Sequence, residues 1–89
     1  MVFLALTPDG LQDAIAMALP GRDSIWCSAS AISSAAFQAH QGIELTRFAE
    51  TMVFTNEDDI VHAVDVIGEH HPDQRVWIEA RQNPYGSLA

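Results

Sequence analysis

The sequence contains no lysine, and among its 89 residues it has a single cysteine, Cys27. Without lysine there is no Schiff-base amine, no P-loop lysine and no kinase-type lysine, so several enzyme classes drop out on composition alone. A receiver-type phosphoacceptor system fails for the same reason. One cysteine cannot close an internal disulfide, which argues against a stapled secreted scaffold and makes the cytoplasm the expected compartment. Positive charge is scarce as well, with four arginines against twelve acidic residues and a formal charge of −8. Such a balance repels phosphate backbones and anionic lipid headgroups, so neither nucleic acid nor a membrane is an expected partner. Long apolar runs are missing too. Met1 to Leu6 is apolar, but no basic stretch precedes it and it stops at Thr7-Pro8-Asp9, far short of a signal sequence or membrane span. No G-x-G-x-x-G, P-loop, C-x-x-C, G-x-S-x-G or H-E-x-x-H pattern occurs, and no cofactor is implied.

What remains suffices for one small fold. With 48% hydrophobic residues the chain can collapse, and its length suits a single domain over 1–80 followed by a tail over 81–89. Val2 to Leu6 has no polar residue, the pattern of a strand covered on both faces. Thr7 can cap a helix, Pro8 suits its first position, and Asp9 sets negative charge against its N-terminus. Leu11, Ala14, Ile15, Ala18 and Leu19 then form one apolar stripe, and Pro20-Gly21 ends the helix. Ser24 to Ser28 reads as a second strand, carrying Ile25, Trp26 and Cys27. Ala29 to Gln41, with Ile32, Ala35, Ala36 and Ala39 on one side, reads as a second helix, although its serines lower helix propensity.

Ile43 to Phe48 alternates like a strand with one wet face, hence one near a sheet edge. Thr51 to Thr55 is also β-prone, and the sequence does not decide whether it pairs, continues the strand after a bulge, or crosses above it. Thr55 or Asn56 can cap a third helix whose first turn is Glu57-Asp58-Asp59. Ile60, Val61, Ala63, Val64 and Ile67 are read as its buried stripe, with Asp58, His62, Asp65 and Glu69 opposite. His70 and His71 fall in its last turn, and Pro72 closes it. Arg75 to Ala80 supplies a last strand, with Val76 and Ile78 on one face and Trp77 on the other. The order β-α-β-α-β-α-β predicts a small open α/β fold: a mostly parallel four-stranded sheet with three helices on its two faces. It resembles half of a Rossmann- or flavodoxin-like fold, a likeness of topology that carries no function.

In open parallel sheets, ligands bind beyond the carboxyl ends of the strands. That rule selects Thr7, Pro8 and Asp9 after the first strand, Cys27, Ser28 and Ser30 after the second, Glu50 to Asn56 after the third, and Glu79 to Arg81 after the last. Among them Thr7, Asp9, Ser28 and Ser30 are candidates to cradle a small anion, with Arg81 to neutralise it, although hydroxyls at helix starts more often serve as caps. Cys27, at a strand-to-helix junction, is the candidate nucleophile. A phosphatase-type loop would need an arginine where Ser33 stands, and unpaired cysteines mostly pack as small hydrophobes. His62, Asp65 and Glu69 share one helical face at ligand-like spacing for a divalent metal, yet an amphipathic helix of an acidic protein makes such a stripe without binding anything. Two readings follow. The first is a non-catalytic interaction or regulatory module, homodimeric or meeting a basic protein partner. The second is a small-ligand or anion-binding domain, in its catalytic version a Cys27-dependent enzyme, with its site at the C-terminal edge of the sheet.

Overall fold

A computed structural model describes residues 1–53 and 55–79. Its elements run β1 (Val2–Ala5), α1 (Pro8–Met17), β2 (Ser24–Cys27), α2 (Ser34–Ala39), β3 (Glu44–Arg47), α3 (Glu57–His70) and β4 (Val76–Ile78). The four strands form one open sheet in the order β3-β2-β1-β4, and every neighbouring pair is parallel. Chain direction across the sheet therefore reverses between β1 and β4: the first three strands step one way, and α3 carries the chain back to the other side of β1. In such a sheet the C-terminal ends of the two strands flanking the reversal open onto a crevice, the place where doubly wound folds hold ligands.

Alternation along each strand splits the core into two layers. Val2, Leu4 and Leu6 join Trp26, Phe48 and Met52 beneath Ala63 and Ile67 of α3, with Ile60, Val66 and Val76 packed against them. On the opposite face Ala5, Ile25 and Cys27 meet Leu11 and Ala14 of α1 and Ala18 at its C-cap, together with Ala31 and Ile43. Local chemistry sets the helix limits as expected. Thr7 caps α1 by accepting from Gly10 N at 3.0 Å, and Asn56 caps α3 by accepting from Asp58 N and Asp59 N. Past α1, Gly21 takes a positive φ of 79° in the turn before β2. Asp23 holds that turn to the helix end: its Oδ2 accepts from Leu19 N at 2.9 Å, and both carboxylate oxygens accept from the Arg22 guanidinium at 3.1 Å.

The structure departs from the sequence reading at two places, and decides a third. The helix expected over Ala29 to Gln41 is confined to Ser34–Ala39, because Ser33 supplies a cap within it and residues 29–33 turn instead. Its short apolar stripe also buries nothing, so no packing energy extends it. The pairing of Thr51 to Thr55, open in the sequence, is decided in part: residues 51–53 form no strand, and Phe54 lies outside the described residues. In α3, Val61 is 58% exposed, whereas Val66 packs on the core. Among the described residues no helix is long and apolar enough to cross a membrane.

Candidate functional site

At the crevice between β1 and β4, chain reversal brings three segments together. Thr7 begins α1 directly after β1, Glu79 follows β4, and Ser28 with Ser30 follow β2. The Glu79 carboxylate occupies the α1 N-terminus. Its Oε1 accepts from Leu6 N at 2.7 Å and Thr7 N at 2.9 Å, and its Oε2 accepts from Thr7 Oγ1 at 2.5 Å. These backbone groups are the donors that a helix start and its preceding turn offer to an anion. Here the anion is the chain's own side chain. Gly10 makes room for it: a Cβ built at residue 10 would overlap the Glu79 carboxylate.

The expected anion cradle is thus brought together in part. Thr7 Oγ1 is committed twice, accepting from Gly10 N and donating to Glu79. Ser28 is fully buried; its Oγ accepts from Met52 N at 2.8 Å and from Ser30 N at 3.3 Å, fixing the loop after β3 above β2. Ser30 Oγ lies 3.0 Å from Ser28 Oγ and donates to Leu6 O at 3.4 Å, which ties the loop after β2 to the end of β1. Asp9 stands exposed in the first turn of α1. Arg81 lies outside the described residues. The hydroxyls therefore act as struts of the rim, and the negative charge at its centre comes from Glu79.

Cys27 has no exposed surface, and burial pushes its thiol up to about 11, against a smaller opposing pull from the Arg47 guanidinium. At neutral pH such a thiol stays protonated and out of reach, the state of a packing residue rather than a nucleophile. Arg47, unremarked in the sequence, is the organiser of this corner. Its Nε donates to Ile32 O at 2.9 Å and its Nη2 to Ala29 O at 3.1 Å, satisfying carbonyls of the turn that replaces the first part of the expected helix. A lone arginine after alternating apolar residues gives no local sign of that role.

His62, Asp65 and Glu69 lie on the exposed face of α3. Among the described residues no group of three or more His, Cys, Asp or Glu side chains is gathered closely enough to hold a metal ion. An open depression at the start of α3, lined by Thr55, Asn56, Glu57 and Asp58, is walled by the cap itself and its acidic first turn. At the other end of α3, His70 and His71 pack on Trp26, with ring centroids 5.2 and 6.0 Å away, and Phe48 closes the cluster at 5.2 Å.

Large apolar side chains reach the surface at Met17, Leu19, Val53 and Val61, and as an adjacent pair at the β4 edge. Trp77 is 50% exposed and Ile78 43%, on opposite faces of a strand whose outer side pairs with no other strand among the described residues. Residue composition signalled two aromatic or β-branched residues in a strand; that the strand would land at an edge was set by the crossover. Comparison with protein-family models, curated proteins and solved structures finds no match for this chain.

Proposed function

We propose that this protein is a non-catalytic interaction module, acting in the cytoplasm, that docks an extended basic segment of a protein partner along the outer edge of β4. The observation that carries the reading is that edge: an unpaired strand among the described residues, with Trp77 and Ile78 half-exposed on its two faces. Strand addition supplies main-chain hydrogen bonds for affinity, and exposed side chains on alternate faces supply contacts for specificity. Exposed aromatic residues are the usual anchors of such contacts. The charge of −8 favours a basic segment over a second copy of the chain, since two copies repel before they meet. A homodimer through the same edge is the competing occupant.

Support also comes from the crevice. A ligand-binding reading requires a vacant seat for an anion at the α1 N-terminus, and Glu79 fills that seat with like charge. The catalytic version requires a reachable thiolate at Cys27, which is buried and protonated at neutral pH.

The test is a titration of isotope-labelled protein with a synthetic peptide of alternating Lys and Val, followed by backbone amide shifts. The reading expects shifts centred on residues 76–78 that weaken with salt and vanish in Trp77→Arg, a variant whose melting temperature stays close to that of the parent. Shifts centred on Ser28–Arg47, or identical titrations for parent and variant, overturn it. Concentration-dependent self-association without peptide, lost in Trp77→Arg, gives the edge to a second copy instead.

A further inference from the structure

β4 is held by unusually little of its own surface. It is three residues long, Val76 is only partly buried, and Trp77 and Ile78 leave much of their side chains in solvent. Apolar burial, the usual anchor of a strand, is correspondingly small. Its backbone meets β1 at both ends: Val2 N donates to Arg75 O at 2.9 Å, and Glu79 N donates to Leu4 O at 2.9 Å. Beyond the ladder, the Glu79 carboxylate adds hydrogen bonds from Leu6 N, Thr7 N and Thr7 Oγ1, and contacts of this charge-assisted kind are about twice as strong as neutral ones. At the opposite end, the turn entering β4 contains Asp73 at φ 67°, a left-handed conformation at a non-glycine residue, and the turn closes through Gln74 N on His71 O at 3.3 Å.

We propose that β4 is a latched strand: Glu79 is the clasp, seated at the start of α1, the turn around Asp73 is the hinge, and release of the clasp frees β4 from β1 while β1, β2 and β3 stay assembled. Local opening of this kind draws on segments with few buried apolar contacts and low local contact density. Lifting β4 uncovers the edge of β1, exposing the Val2 N–H and the Leu4 carbonyl. This inference is independent of the docking reading, because it concerns the inner side of β4, not the outer one.

Native-state hydrogen exchange on the whole chain tests it. Val2 N and Ser24 N mark the same end of β1, one bonded towards β4 at Arg75 O and the other towards β2 at Met1 O, so simple fraying of the chain start moves both. In the parent, the latch predicts that the Val2 amide exchanges through an opening at least tenfold more populated than the one that exposes Ser24 and Ser28. In Glu79→Ala, Val2 protection falls by a further tenfold or more, whereas Ser24 and Ser28 are unchanged; Glu79→Gln, which keeps shape and one acceptor oxygen, lies between. If Glu79→Ala does not fold, the parent comparison and Glu79→Gln still decide the matter. Loss confined to Leu6 and Thr7 with Val2 unchanged reduces Glu79 to a local cap and overturns the latch. Equal exchange of Val2, Ser24 and Ser28 in the parent overturns it also, because β4 then opens only with the whole sheet.

Discussion

The carboxylate of Glu79 lies in the space that a side chain on Gly10 would need, so two residues far apart in sequence share one seat at the start of α1. In a helix, Gly→Ala ordinarily stabilises by about 1 kcal/mol. Here the added methyl displaces Glu79 from its donors, and each hydrogen bond to a charged group contributes roughly 1.5–3 kcal/mol. If the flexible Glu79 side chain shifts and loses the equivalent of one such bond, the net effect of Gly10→Ala is a loss of about 0.5–2 kcal/mol. In a Glu79→Ala background the same change should raise it by up to about 1 kcal/mol, as at an ordinary helical site. Chemical denaturation of the four proteins in this cycle reads the change of sign; additive effects would show that the two residues do not compete.

Acid should weaken the fold through Asp23. The Arg22 guanidinium and the Leu19 N–H hold its carboxyl down to about 2, below its ordinary value of 3.8, while burial opposes them. A carboxyl with a depressed folded-state value adds stability that is present above its unfolded value and is lost as pH falls towards the folded one. Melting temperature measured from pH 5 to pH 2 is expected to fall mainly below about pH 4. Asp23→Asn, which cannot titrate, should start lower at neutral pH and show a shallower decline over that window. A parallel decline in both proteins would remove Asp23 from the acid response.

The two faces of α3 separate residues of similar chemistry. Ile67 is fully buried against the sheet, and Val61 stands 58% exposed. Ile67→Ala should cost about 2–5 kcal/mol, the range for emptying a buried aliphatic site. Val61→Asp should stay within about 0.5 kcal/mol, as surface substitutions do. Thermal unfolding of both variants checks the assignment, and comparable losses would mean that the helix is rotated relative to the structure described.

Cys27 is expected to resist labelling by a thiol reagent at pH 7 in the native protein and to react fully once denaturant unfolds it. Its burial and its raised pKa act in the same direction. Rapid native-state labelling would restore the thiol as a candidate nucleophile.

Much of this architecture is readable from local signals. Thr7-Pro8-Asp9 starts α1, Asn56 with three following carboxylates starts α3, and short apolar runs place β1 and β2. Alternation in Ile43 to Phe48 correctly signals an edge, since β3 ends the sheet on one side. Where the reading fails, two local solutions compete. Successive helical residues are about 100° apart, so Val61 and Val66 flank the same stripe of Ile60, Ala63 and Ile67, and only the sheet beneath decides which of them is buried. The serine- and alanine-rich second helix has too little apolar surface to reward its full length, so it shrinks to the segment after the Ser33 cap. The centre of the candidate site was legible in part. Thr7, Ser28 and Glu79 are all selected by their places after strands, but that the Glu79 carboxylate itself fills the start of α1 depends on α3 carrying β4 across to β1, a long-range event with no local mark. Arg47 is hidden likewise, its partners being carbonyls of a turn that the pattern read as helix.

The interaction reading and the ligand reading make opposite demands on one sample, and calorimetric titration at low salt separates them. The alternating Lys-Val peptide should release or absorb heat with a saturable isotherm that disappears in Trp77→Arg, while inorganic pyrophosphate, meeting the crevice already filled by Glu79, should give none. Saturable binding of pyrophosphate with no response to the peptide would contradict the account.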